Sequence, residues 1–257
     1  DVYKRQALGI GTLLEDGLGD TVRVSLTEDP ELEAPVAKTL IDRYQNRTNH
    51  GTIPPIDKVL KNPYEYSRRK THEVLNIGYE NVPRVIADFS NISELNTNAF
   101  KSIGHYYIPL TDKWGMTDLG ADYVYTGDQQ LDFMLPNGLK QIVNASAWGE
   151  SDNYPLFTKS EYINVTKKHS IANFVRITLT DLNQDFLTVL KEDKSIVLIL
   201  DTDNEHAMAE MRRAFYELLG NEITTPVILL RKYPILSDNK MQLYLSLIHI
   251  SEPTRLG

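Results

Sequence analysis

The sequence predicts an α/β fold, because short apolar segments of strand length alternate with amphipathic helical segments. The clearest unit begins at Ser195–Leu200, which is apolar on both faces, as a parallel strand covered by helices must be. A helix follows and ends at Gly220, and Val227 begins the next strand. The apolar stripe of this helix consists of Met208, Met211, Phe215, Leu218 and Leu219. Roughly seven strands with helical crossovers predict a barrel or an open parallel sheet, and periodicity leaves both open.

The stretch from Gly9 to Pro30 predicts a helix end, a glycine-containing turn and a short strand. Gly11 to Glu15 has the pattern of a last helical turn, which Asp16-Gly17 would stop. In the strand Thr21–Leu26, alternation places Arg23 and Ser25 on one face and the apolar residues on the other. Two interpretations remain open: Arg23 binds an anion such as phosphate, or it pairs with a carboxylate on a neighbouring strand.

Two helices are predicted with defined starts. Asp29-Pro30 is typical of a cap followed by proline in the first turn, and Pro35 should make the helix start again. Its apolar stripe is Val36, Leu40, Ile41 and Tyr44. Further along, Thr202 to Glu205 has the spacing of a capping box.

Besides Thr21–Leu26, seven segments are predicted as strands, among them the two of the unit described first. They are Arg84–Phe89, Tyr106–Pro109, Asp122–Tyr125, Gln141–Asn144, Phe174–Leu179, Ser195–Leu200 and Val227–Leu230.

Both ends of the chain are predicted to be foreign to the protein. Asp1–Gln6 can be encoded by GAT GTG TAT AAG AGA CAG, and the reverse complement of that string encodes Leu245–Ile250. Two ends that encode complementary strands of one DNA element resemble translated sequencing adapter, so residues 1–6 and 245–257 are predicted not to belong to the native fold. We expect the remaining segment to be an internal fragment.

Composition narrows the class of protein. The formal charge of −8 argues against nonspecific binding of nucleic acid or anionic membranes. No apolar run approaches the roughly 20 residues of a membrane span. The chain contains no cysteine, so it can form neither a disulfide nor a thiolate-ligated iron–sulfur cluster by itself.

The other chemical candidates have simpler structural explanations. Asp201-Thr202-Asp203 could hold a cation where a strand ends, but helix capping explains Thr202 and Asp203. Asp128 could act as an acid or base, but a turn residue is the simpler interpretation. Arg68-Arg69-Lys70 fits a solvated linker or helix face better than an anion site. No histidine belongs to a metal-binding pair, and Gly9-Ile-Gly11 lacks the third glycine of a dinucleotide fingerprint.

The phrase LLEDGLGDTVRVSL, residues 13–26, resembles the end of the catalytic barrel in the 4-hydroxy-3-methylbut-2-enyl diphosphate synthase (GcpE) family. The segments Asp118–Gln129 and Leu131–Gly138 resemble the middle domain of its three-domain form. The resemblance implies that residues 7–47 end a TIM-type catalytic barrel. It also implies that residues 48–244 form an inserted, barrel-like middle domain, which is either complete or incomplete at its C-terminal side.

The resemblance also implies a function. In this family the enzyme reductively converts 2-C-methylerythritol 2,4-cyclodiphosphate, a step of the methylerythritol phosphate route to isoprenoids. By matching the RVSL motif, Arg23 and Ser25 are expected to bind the substrate diphosphate, and the chain carries no catalytic or metal-binding residue. The [4Fe-4S] cluster of the full-length enzyme, with flavodoxin or ferredoxin as electron donor, has its ligands outside this chain.

From the resemblance we expect a cytoplasmic bacterial protein that binds neither nucleic acid nor membrane and that is compatible with a homodimer. The fragment alone should be inactive. Two alternatives stay open: a noncatalytic spacer formed by residues 48–244, or an unrelated phosphate-binding barrel enzyme.

Overall fold

A computed structural model describes residues 2–25, 29–45, 50–62, 64–118, 120–150, 152–203 and 205–230. The adapter prediction for Leu245–Gly257 lies outside these residues. The helices are α1 Val2–Glu15, α2 Glu33–Asp42, α3 Lys159–Asn164, α4 Gln184–Glu192 and α5 Ala207–Gly220. The strands are β1 Ile86–Asp88, β2 His105–Ile108, β3 Lys113–Met116, β4 Tyr123–Tyr125, β5 Lys140–Asn144, β6 Tyr154–Thr158, β7 Asn173–Ile177, β8 Ile196–Asp201 and β9 Val227–Leu230. Short 3-10 helices span Pro30–Leu32, Ala99–Ile103, Ala145–Ala147 and Leu179–Asp181.

The described residues divide into two compact units. The first, here the helical unit, contains the residues up to Arg69 together with Asp201–Glu222. The second, here the sheet unit, contains Lys70–Leu200 and Ile223–Leu229. The predicted domain boundary between residues 47 and 48 stays a prediction, and the units observed here divide at Arg69.

In the helical unit, α1 ends where the sequence predicts. The N–H of Leu18 donates to the carbonyl of Leu13 at 2.9 Å, and the N–H of Gly17 donates to that of Leu14 at 3.0 Å. Gly17 has φ of +72°, a conformation that glycine adopts without a steric penalty. These two bonds form a Schellman motif, which satisfies carbonyls at the helix end.

The segment 21–25 alternates as predicted but forms no hydrogen-bonded ladder. Val24 is buried while Arg23 and Ser25 are exposed, so the two faces are as expected. No described strand lies beside the segment, and a strand needs such a neighbour to pair its backbone. At Ser25 the side-chain amide of Gln6 bonds to the backbone as a neighbouring strand would. Its oxygen accepts from the N–H of Ser25 at 3.1 Å, and its nitrogen donates to the carbonyl of Ser25. Gln6 therefore makes a defined contact although the sequence analysis assigns it to the adapter.

A small apolar cluster joins α1, α2 and this segment. Leu40 and Ala7 are buried at its centre, and Tyr44 and Val22 pack against them. The 3-10 turn Pro30–Leu32 leads directly into α2 at Glu33, so the helix begins two residues before Pro35, which fits within the first turn.

The sheet unit contains a seven-stranded parallel sheet with the order β1-β4-β5-β6-β7-β8-β9. Along the chain, each new strand of this sheet is added on the same side of the preceding one. In a doubly wound sheet the side of addition reverses, so this order is that of a barrel. The sheet is curled into a half-barrel, which confirms the predicted α/β, barrel-like class. Among the described residues, β9 pairs with β8, and no ladder joins β9 to β1.

The sequence did not predict two of the strands, and one predicted strand lies outside the parallel sheet. Tyr106–Pro109 corresponds to β2, which pairs with the unpredicted β3 as an antiparallel hairpin outside the large sheet. The unpredicted β6 lies at the centre of the parallel sheet although it contains Pro155. Proline removes a ladder donor and normally argues against a central strand, which explains the omission.

Hydrogen bonds from side chains define the starts of α3 and α4. Thr158 and Glu161 form a capping box at α3, and Asn183 accepts from the N–H of Phe186 at α4. The capping box predicted for residues 202–205 is wrong, because α5 begins at Ala207 after His206. There the Asp203 carboxylate accepts the N–H groups of Glu205 and His206 at 2.8 and 3.1 Å, so a turn precedes the helix.

The described helices include none that is both long and apolar enough to cross a membrane.

Candidate functional site

A shallow, open depression of about 630 Å³ lies in the helical unit between the segment 22–24 and α2. Its floor is apolar and includes Val22, Val24 and Ile41. Arg23 and Lys38 supply cationic groups among its lining residues. The depression thus combines an apolar floor with basic side chains, and it contains one of the two predicted binding residues.

Arg23 makes no hydrogen bond or ion pair with any residue in the described part of the chain. The alternative that it pairs with a carboxylate therefore has no support there. Lys38, in contrast, is bound to Asp42 one turn along α2 at 2.6 Å. Glu33 and Asp42 also line the depression, so two carboxylates balance the two cations. A diphosphate would need further cationic groups to be held there.

Ser25 is exposed on the same side of the segment as Arg23, but it is not among the residues that line the depression. Its backbone is held by Gln6. Sequence reasoning identified Arg23 by alternation but did not single out Lys38, whose one signal is the i,i+4 spacing to Asp42 on a helix.

The acidic candidates of the sequence act as structural groups. Burial opposes ionisation of Asp203, but the hydrogen bonds from His206 and Glu205 outweigh it and lower the pKa of the carboxyl. In the sheet unit, Asp128 accepts from the side chains of Asn144 and Ser146 at 2.9 and 3.3 Å. Both carboxylates are therefore hydrogen-bonded by neighbouring donors.

The histidines also have protein partners. His50 contacts Glu210 at 2.9 Å between Nε2 and Oε1, and its ring stacks on that of His206 with centroids 4.3 Å apart. The hydrogen bond with Glu210 raises the pKa of His50, and burial partly opposes it. His72 bonds to Thr224 at 3.0 Å.

In the sheet unit, His105 is buried against the carbonyl of Ala121 at 2.8 Å. Burial lowers the pKa of His169, whose Nδ1 accepts from backbone N–H groups.

The residues present do not fit an iron–sulfur cluster. Clusters of this kind are held by cysteine thiolates, and the chain has no cysteine. Within the described ranges, no group of three or more histidine, aspartate or glutamate side chains could hold a metal ion.

The fold and the depression define the class of protein. It is an α/β chain in which the segment that carries Arg23, together with α2, precedes a parallel sheet of seven strands that is curled into a half-barrel. The family model for the GcpE TIM-barrel domain matches residues 3–38, which include Arg23, Ser25 and the first half of α2. The match begins inside the residues assigned to the adapter, and that assignment stays a prediction.

Over most of its length the chain is homologous to proteins named 4-hydroxy-3-methylbut-2-en-1-yl diphosphate synthase (flavodoxin). It is 35% identical to the protein of Parabacteroides distasonis over 238 residues, which are 89% of this chain and 34% of the relative. It is 31% identical to that of Bacteroides fragilis over 230 residues, again 89% of this chain and 34% of the relative. With the protein of Leptospira interrogans it shares 46% identity over 76 residues, which are 30% of this chain and 12% of the relative.

The chain spans about a third of the length of these first relatives. No solved structure matches it.

Proposed function

We propose that this chain is part of an isoprenoid-pathway oxidoreductase that reductively converts 2-C-methylerythritol 2,4-cyclodiphosphate to 4-hydroxy-3-methylbut-2-enyl diphosphate. The similarity to synthases of that name over 89% of the chain carries the proposal. The chain by itself is inactive, because it corresponds to about a third of those proteins.

In the whole protein, Arg23 and Ser25 bind the substrate diphosphate. Three observations support this role: Arg23 is exposed, has no partner among the described residues, and lines an open depression. A guanidinium presents a planar fork of donors that fits phosphate oxygens. The balance of charge in the depression means that other cations, from outside the described residues, complete the site.

The redox part of the reaction belongs to groups outside this chain. In the whole protein a [4Fe-4S] cluster would pass electrons from the donor to the substrate, and this chain has no thiolate to hold it. The word flavodoxin in the relatives' names supports a flavodoxin as electron donor. We further propose a cytoplasmic location and a homodimer. The sheet unit would then position other domains, which is the spacer role expected for residues 48–244.

Substitution of Arg23 in the full-length protein tests the substrate site. Loss of a charge-assisted contact at Arg23→Met should weaken substrate binding about ten- to a hundredfold. Arg23→Lys should recover only part, since an ammonium cannot reproduce the fork. Ser25→Ala should cost less, because a neutral hydrogen bond contributes about 1 kcal/mol. Substrate affinity and thermal stability are measured on each variant.

Arg68→Met, at an exposed arginine outside the depression, is the matched control and should leave affinity unchanged. Unchanged affinity with lowered stability in Arg23→Met would refute the binding role and favour a structural one. Recovery of the full reading frame from the source DNA tests the identity separately: a downstream domain with cysteines supports it, and a stop codon soon after Tyr244 contradicts it.

A further inference from the structure

The carboxyl edge of the parallel sheet carries a layer of polar side chains on one face. Strand register pairs Asp88 with Tyr125, and it pairs Thr158 with Arg176. Tyr125 also pairs with Ile142, two residues before Asn144. Asn144 pairs with Leu156, which lies two residues before Thr158. Because side chains two residues apart share a face, these groups project together. We call Asp88, Tyr125, Asn144, Thr158 and Arg176 the polar layer.

One step toward the amino ends of the strands, the same face is aromatic. Tyr123 and Phe174 are fully buried, with ring centroids 5.8 Å apart, and Tyr154 lies 6.2 Å from Phe174. In the polar layer itself, Asp88 and Arg176 are exposed. The face thus has a closed aromatic floor below an accessible polar rim.

Hydrogen bonds hold the centre of the polar layer in one arrangement. The Tyr125 hydroxyl donates to Oδ1 of Asn144 at 2.5 Å, and the Asn144 amide donates to Asp128 at 2.9 Å. Since this chain of bonds fixes the direction of the tyrosine proton, the lone pairs of its oxygen remain able to accept. Asp88 is likewise fixed, because its Oδ1 accepts from the hydroxyl of Ser90 at 2.6 Å.

The charges of Asp88, which is the register partner of Tyr125, and of Arg176 both act on the Tyr125 hydroxyl. Burial raises the pKa of the Tyr125 hydroxyl, the charge of Asp88 raises it further, and the charge of Arg176 opposes the rise. With Asp128 the cluster holds two carboxylates and one guanidinium. Its net charge is therefore not positive, which disfavours a phosphate or another anion.

We propose that the polar layer binds a small, uncharged, polyhydroxylated ligand such as a sugar or polyol. Each hydroxyl of such a ligand both donates and accepts, so it can donate to Asp88 and Tyr125 while it accepts from Arg176. Tyr154, which is partly exposed in the aromatic floor, offers an apolar surface to its C–H groups. The carboxyl ends of barrel strands are where ligands of this fold bind. The site lies in the sheet unit and does not depend on the function proposed for Arg23.

Binding of xylitol and D-ribose to the whole chain, titrated by saturation-transfer-difference NMR, tests the site. We expect saturable binding that weakens about five- to tenfold in Tyr125→Phe, since one neutral hydrogen bond is lost. It should weaken at least as much in Asp88→Asn, where the lost acceptor is charged and Oδ1 can still bond Ser90. Tyr107→Phe is the matched control, because it removes a hydroxyl bonded to Asp112 at 2.6 Å on the exposed hairpin.

Thermal unfolding of each variant is measured as well, so that loss of binding is attributed to the removed group only in a variant that remains folded. Absence of saturable binding of both probes to the unmodified chain would overturn the proposal. So would binding of inorganic phosphate, followed by ³¹P line width, without binding of the polyols. An equal loss in Tyr107→Phe would show that the polyols bind elsewhere and would overturn it too.

Discussion

At the scale of single residues, alternation identified which side chains are available for binding. Arg23 and Ser25 are exposed and Val24 is buried, although the segment that carries them forms no ladder. The side-chain directions follow from the extended backbone alone, so the sequence was sufficient for them. The residues that line the depression with Arg23, such as Lys38 and Asp42, were not predictable, because they depend on how α2 lies beside the segment.

The pair of His50 and Glu210 makes the helical unit sensitive to pH. The pKa of His50 is raised, so the protonated form is favoured in the folded chain. Its contribution to stability should be complete below the unfolded pKa of about 6.5 and should be lost as pH rises through the raised value. In Glu210→Gln, NMR titration of the His50 ring should give a midpoint closer to 6.5.

Asp203 and the stacked ring of His206 also face this pair, so the His206 titration is followed in the same spectra. Glu217→Gln is the control, because Glu217 lies on the same helix and pairs with Arg213 at 2.7 Å. An unchanged His50 midpoint in Glu210→Gln would contradict the assignment.

At the scale of elements, the helix ends show which features the local sequence determines and which depend on contacts with other residues. The stop at Asp16-Gly17 was predicted because glycine permits the positive φ of a Schellman motif. The start of α5 was predicted at the wrong residue. Glu210, a full turn inside the helix, accepts the N–H of Asp203 at 2.7 Å, and Glu205 does not complete a capping box.

Gly9 within α1 and Gly17 in the turn after it should respond in opposite directions to alanine. Gly17→Ala should destabilise the chain by about 1 kcal/mol, since a Cβ is strained at φ of +72°. Gly9→Ala should stabilise it by up to about 1 kcal/mol, because Gly9 lies within the helix and a Cβ there meets nothing within 4 Å. Denaturant unfolding of the two variants beside the unmodified chain measures both. The same sign for both changes would refute the helix end described here.

At the scale of the whole molecule, the order of strands decides the architecture. Strand-like segments predicted parallel α/β structure, but a barrel and an open sheet produce the same periodicity. Because the seven strands lie in the sheet in the order of the chain, the winding is that of a barrel.

The purified chain should bind no iron–sulfur cluster. Thiolates hold such clusters, and none of the 257 residues is a cysteine. After incubation with iron and sulfide under reducing, anaerobic conditions, the desalted chain should lack charge-transfer absorption and an EPR signal, while the full-length protein treated in parallel serves as the positive control. Stoichiometric retention of four irons by the chain would contradict the prediction.

The sequence by itself determined the α/β class, most strand positions, the stop of α1 and the direction of Arg23, because each follows from local periodicity or from one backbone conformation. Tertiary structure decided what depends on a distant partner. Pro155 lies in a central strand because β6 pairs with β5 on one side, where Pro155 is in register with Val143, and with β7 on the other. The segment 21–25 lacks a ladder because no described strand adjoins it. The polar layer exists only because strand register brings Asp88 and Arg176, far apart in the chain, to one edge of the sheet.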